Sequence, residues 1–125
     1  MQLSAGSQKP LEWVGSAYKD LLAFPESARR HAGYALGLAQ SGGKHPDSKP
    51  WHGEGPGLFE FVHALEGNAF RSVYTVRFAK AIYVLHCFQK KSPSGIRTAK
   101  QDVDLIHERL LRATKHYEVN YGSQD

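Results

Sequence analysis

The chain has 125 residues, 41% hydrophobic and 22% charged, which suits one ordinary folded domain and excludes an intrinsically disordered chain. Its longest apolar run, Ala81 to Leu85, is too short to cross a bilayer, and the opening MQLSAGSQKP has no apolar leader segment, so a cytoplasmic protein without a membrane partner is expected. Sixteen Lys and Arg against twelve Asp and Glu give a net charge of +4, which favours an anionic partner, and a single cysteine excludes an internal disulfide.

Residues 1 to 8 are small and polar and read as a loose tail. In KPLEWVG, residues 9 to 15, Leu11 and Trp13 alternate with Glu12 and Val14, and Pro10 suits a sheet edge, so a short edge strand is predicted. Residues 16 to 43 are helical in character. Ser16 is an N-cap, and Pro25 belongs in the first turn of a second helix. Ala28, Ala32, Ala35, Leu36 and Ala39 give that second helix a face of small residues, and Gly42 and Gly43 end it. The run from Gly37 to Lys44 looks faintly like a phosphate loop, but it is one residue too long and follows a helix, so it reads as a cap.

Residues 44 to 57 carry Pro46, Pro50, Pro56 and three spaced glycines and read as a loop. His45, Asp47, His52 and Glu54 in that loop match no standard metal-ligand spacing, and no metal or cofactor is expected. Three strand-like runs follow, at 58–65, 70–78 and 81–90, separated by EGNA and a short AK step. Two tight hairpins joining an antiparallel meander are predicted. Thr98 and Gln101 form a capping box for a last helix, in which Val103, Ile106, Leu110 and Ala113 recur at helical spacing with Tyr117 one turn on. Residues 118 to 125 are expected to fray. The fold class is α+β: two N-terminal helices, a twisted antiparallel sheet of 3–4 strands and a C-terminal helix, in one domain spanning 1–125.

Strict strand alternation puts Ile82, Val84, His86, Phe88 and Lys90 on one face, and Tyr83, Leu85, Cys87 and Gln89 on the other. His86 and Cys87 therefore diverge, which argues against a Cys/His nucleophilic dyad. In the preceding run, Arg71, Val73, Thr75 and Arg77 share a face opposite Phe70, Ser72, Tyr74 and Val76. Ile82 and Val84 pack against a helix in this reading, while His86, Phe88 and Lys90 run past its edge to floor a concavity. A stacking ring, a group that titrates near neutrality and ammonium groups together suit a nucleic acid.

Several segments resemble one family. KPWHGEGPGLFEFV, RSVYTVRF, AIYVLHCFQKKS and the pattern Thr98 to Val103 are similar to the phage-derived, HigB-type branch of the RelE/ParE toxin superfamily, over roughly residues 9 to 113. The resemblance implies a RelE-like fold and the toxin of a type II toxin–antitoxin pair. It implies a metal-free, ribosome-dependent mRNA endonuclease, inhibited by a cognate antitoxin that carries a helix-turn-helix domain. Carried onto this chain, Arg71 is the phosphate clamp, Lys90 and Lys91 hold the RNA backbone and assist proton transfer, and His86 is the acid or base. Phe88 stacks on a base, Lys49 adds a cation from the loop, and Tyr74 and Arg77 are further RNA contacts. The superfamily also contains ParE-type gyrase poisons, so a protein-binding toxin is the first alternative and an inactive phage-derived binding module the second.

Overall fold

The computed structural model describes residues 8–90 and 99–122. In chain order the elements are β1 (Leu11–Trp13), α1 (Ala17–Leu22), α2 (Glu26–Gln40), β2 (Ser48–Pro50), β3 (Leu58–Leu65), β4 (Asn68–Thr75), β5 (Ile82–Lys90) and α3 (Lys100–Tyr121). The strands form one sheet in the order β1-β5-β4-β3-β2. Its β3-β4-β5 centre is the expected antiparallel meander.

Both edges differ from the expected 3–4-strand antiparallel sheet. β1 runs parallel to β5, so the sheet is mixed, and it has five strands. The fifth, β2, lies inside the segment read as loop, pairing Ser48, Lys49 and Pro50 with Phe61, Glu60 and Phe59. A three-residue strand containing proline survives only at an edge, where a missing N–H is harmless. The β3–β4 turn is two residues, Glu66 and Gly67, both with positive φ (50° and 81°), the backbone that hairpin twist requires. The β4–β5 connection is longer than the AK step: β4 ends at Thr75 and β5 begins at Ile82.

The two faces of the sheet are covered separately. α1 and α2 close one face through Ala17, Leu21, Ala28, Ala32, Ala35, Leu36 and Ala39, packed on Phe61, Phe70, Tyr74, Ile82 and Val84. α3 closes the other through Ile106, Leu110, Ala113 and Tyr117, packed on Leu58, Val73, Tyr83 and Leu85. Pro25 sits immediately before α2, not within its first turn. The helix ends in a Schellman motif, with the Gly43 N–H donating to the Leu38 carbonyl (2.8 Å) and Gly42 N–H to Ala39 (3.1 Å), Gly42 having φ +90°. The phosphate-loop look of that stretch is therefore a helix cap. α3 is capped at Ala99; the Thr98 side of the proposed capping box lies outside the described residues. α3 continues through Tyr121, past the start of the expected frayed tail, because Tyr117 and Tyr121 stack on each other (5.0 Å between ring centres).

Candidate functional site

One local feature rearranges the predicted site. Val73 pairs with His86, but the next β4 residue, Tyr74, pairs with Val84, so β5 carries an extra residue, Leu85. This β-bulge interrupts the alternation. Ile82, Val84 and Cys87 face α1 and α2, while Tyr83, Leu85 and Phe88 face α3. His86 also joins the α3 side, where it meets Asp102. The expectation that His86 and Phe88 share a face with Ile82 and Val84 is thus overturned by one inserted residue. The divergence of His86 and Cys87 holds.

A side chain that the sequence reading passed over stabilises the bulge. Arg109, buried in α3, donates from Nη1 to the Leu85 carbonyl (2.9 Å) and from Nη2 to the Ser16 hydroxyl (3.0 Å). Its guanidinium lies so close to Gly15 that a Cβ there would meet it at 2.9 Å. Gly15 also has φ +58°, so that position needs glycine on two counts. The visible signal was an arginine at core spacing between Ile106 and Ala113.

On the α3 face, Arg71 stands opposite Phe88 in the ladder, and Val73 opposite His86. Arg71 and His86 are therefore diagonal neighbours, roughly 7–8 Å apart at their backbones. Arg71 is buried at 7% exposure and donates from Nη1 to Glu60 Oε1 at 2.7 Å, while its Nε is buried without a partner. It is not the surface cation a free phosphate clamp implies. His86 Nε2 lies 2.7 Å from Asp102 Oδ1, and its Nδ1 is buried without a partner. The His86 side chain is 8% exposed and that of Asp102 28%, so the carboxylate, not the imidazole, is the member of the pair that solvent reaches. Asp102 lies in the first turn of α3, where the helix dipole favours an anion.

The other predicted residues divide. Phe88 lies flat against His86 (4.5 Å between ring centres, 14° between planes) and is 9% exposed, so it walls the site and is not an open stacking platform. Lys49 is exposed on β2, directly opposite Glu60, so it stands on a strand and not in a loop. Lys90 ends β5 opposite Ala69, half-buried. Lys91 lies outside the described residues. Tyr74 is corrected outright: it is 1% exposed on the opposite face and donates to Ser48 Oγ (3.0 Å), with burial pushing its phenol pKa up. Arg77 is exposed and has a structural task. It lies beyond the end of β4, and its guanidinium is spent on the carbonyls of Glu54 (2.6 Å) and Pro56 (3.0 and 3.2 Å), which pins the 53–57 turn.

The loop histidines and carboxylates do not converge. His45 accepts from the Asp47 backbone N–H (2.9 Å), while Glu54 reaches across to His107 of α3 (2.9 Å). Among the described residues no three His, Cys, Asp or Glu side chains gather as a metal site.

The family model described as phage derived protein Gp49-like (DUF891) matches residues 19–111. The chain belongs to this family. The Gp49-like family is part of the RelE/ParE-like toxin clan. The matched segment contains Lys49, Glu60, Arg71, His86, Phe88, Lys90 and Asp102, so the whole α3-side cluster is part of the Gp49-like domain. No curated protein and no solved structure gives a significant match.

Proposed function

We propose that this Gp49-like protein is a HigB-type toxin of a type II toxin–antitoxin pair, and that it cleaves mRNA on the ribosome by attack of the substrate's own 2′-OH, without a metal. The observation that carries the reading is the α3-face cluster: an accessible Asp102 carboxylate held by buried His86, diagonal to Arg71 with its unpartnered Nε. Of the three buried polar atoms without a partner among the described residues, two, Arg71 Nε and His86 Nδ1, lie on neighbours in this cluster, the third being Nε of the structural Arg109.

The chemistry follows from the parts. The Asp102 oxygen not bonded to His86 accepts the 2′-OH proton, and the resulting 2′-oxygen attacks the adjacent phosphorus. The phosphorus–O5′ bond breaks, leaving a 2′,3′-cyclic phosphate and a 5′-hydroxyl. His86 fixes the carboxylate in place, which is a positioning role. Arg71 stabilises charge on the non-bridging oxygens. Lys90, with Lys91 beside it in sequence, supplies cations for the backbone and a proton for the leaving oxygen. The antitoxin, a helix-turn-helix protein in this reading, silences the toxin by binding it.

The test is induced expression in a bacterial host, followed by mapping of mRNA 5′ ends. Native protein gives growth arrest and new ends inside reading frames. Asp102→Asn, which keeps the size and the hydrogen bond to His86, gives neither, and Lys90→Ala reduces both. Arrest with intact transcripts and a DNA-damage response replaces this reading with a gyrase poison. No arrest from soluble, folded protein leaves a binding module.

A further inference from the structure

On the side of the sheet away from Asp102, α2 and the segment after it form a groove of about 350 Å³ lined by Arg30, His31, Tyr34 and His45. That size is within the range of small-ligand sites. All four side chains are planar and polar: a guanidinium, two imidazoles and a phenol. None is aliphatic. Tyr34 is 62% exposed, unusual for a ring that makes only an edge contact with His45 (5.7 Å). His45 is propped from behind by Phe61 at 4.8 Å, and His31 is propped by His63, stacked at 4.3 Å and 16°.

Hydrogen bonds fix what the imidazoles present. His31 Nδ1 donates to the Ser27 carbonyl (2.8 Å), which leaves Nε2 as its acceptor when neutral. His45 Nδ1 accepts from the Asp47 N–H, which leaves Nε2–H as a donor. The site thus offers one donor and one acceptor beside an exposed ring. Arg30 is held only by Glu26, 3.6 Å away and one turn back, a pair of two well-exposed side chains that contributes little and yields easily.

We propose that this groove is a second RNA site, taking one single-stranded nucleotide with its base on Tyr34 and its phosphate on Arg30. Rings and guanidinium planes are what unstacked bases lie on, and their edges are read by donor and acceptor pairs of this kind. The site uses no residue of the α3-face cluster, so it stands or falls apart from the cleavage reading.

The experiment titrates full-length protein into a short fluorescent single-stranded RNA of mixed sequence, in several salt concentrations. Tyr34→Ala weakens binding about tenfold or more, the loss of one stacked base. Tyr34→Phe keeps it. Arg30→Ala lowers the salt slope by about one unit. Both Tyr34 and Arg30 are exposed, so melting curves of the variants are expected to match the native protein. No binding by the native protein, or equal binding by Tyr34→Ala, overturns the proposal. Competition by polyglutamate as strong as that by unlabelled RNA also overturns it, in favour of an acidic protein partner.

Discussion

The two faces of one sheet are built on opposite plans. The side under α1 and α2 is dry: four alanines, Ala28, Ala32, Ala35 and Ala39, let α2 lie close to Phe61, Phe70 and Tyr74. Among the described residues, the side under α3 buries three charged side chains, Glu60, Arg71 and Arg109, and the polar His86. A buried charge is tolerated only with partners, and here each has one: Arg71 on Glu60, Arg109 on the Leu85 carbonyl, His86 on Asp102. The dry face holds the fold together, while the ionic face is costly as structure and is worth its cost only if it does something else.

The sharpest way to break that contrast is to remove one partner on the ionic face. Glu60→Ala leaves the Arg71 guanidinium buried and unpaired. We expect a loss of about 3–5 kcal/mol, measured by urea unfolding. The double variant Glu60→Met, Arg71→Met recovers most of this, because two apolar side chains need no partner. A single-variant loss below about 1 kcal/mol would mean that water reaches Arg71 and that the pair is a surface one.

The dry face should resist differently. Ala35 is fully buried between α2 and the sheet. Ala35→Leu forces extra methylenes into a close-packed seam, at an expected cost of about 1–3 kcal/mol in the same unfolding experiment. An unchanged midpoint would show that α2 has room to slide outward and that the alanine face is not what sets its distance.

How far each face can be read from sequence follows the same division. The alanine spacing of α2 and the 3–4 periodicity of α3 are local signals, and both helices fall where those signals put them. The alternation in β4 correctly separates Arg71 and Val73 from Phe70, Ser72 and Tyr74. The bulge at Leu85 was not legible: no glycine or proline marks it, and the side chain that bonds its carbonyl, Arg109, is distant in sequence. β2 was hidden because three residues with a proline resemble loop. The candidate site suffered most from this. His86 was named, but its partner Asp102, its face and its burial depend on the bulge and on α3, which alternation within one strand does not report. Glu60, between Phe59 and Phe61, reads by alternation as a solvent-facing charge, so its burial against Arg71 was not legible either.

A third test uses pH. Cys87 lies on the dry face, and burial pushes its thiol up to about 12 from 9.0. Between those values the unfolded chain has lost the thiol proton and the native chain keeps it. The native state then binds more protons, so stability falls as pH rises, by up to about 1.4 kcal/mol per pH unit for this one group. Tyr121, raised to about 12 chiefly by its bond to Glu12, and Tyr83, raised chiefly by burial, add the same sign at higher pH. Urea midpoints measured from pH 8 upward should fall, and Cys87→Ala should flatten the first part of the fall. An identical slope in that variant would place the effect on the tyrosines and show that the dry face admits the thiolate.

The smallest expected effect concerns an ion pair at the surface. His107 of α3 and Glu54 of the turn are 2.9 Å apart, and the hydrogen bond to Glu54, with its charge, raises the His107 pKa above 6.5. The contribution of a raised histidine is fully present below its ordinary value and is lost as pH rises through the raised one. Because His107 is well exposed, water and salt screen the link, and global stability should hardly register it. The turn itself should. Hydrogen exchange of residues 52–57, corrected for intrinsic rate, is expected to speed up as pH rises through this titration in the native protein, and to be uniformly fast in His107→Gln. Arg77 holds the same turn through backbone carbonyls and does not titrate, so it limits how far the turn opens. If exchange in the two proteins tracks together at every pH, the bonds that do not titrate, those of Arg77 and that of Thr75 Oγ1 to the Gly57 carbonyl, fix the turn without His107. The contrast between paired charges that matter when buried and those that do not when exposed would then hold in its strongest form.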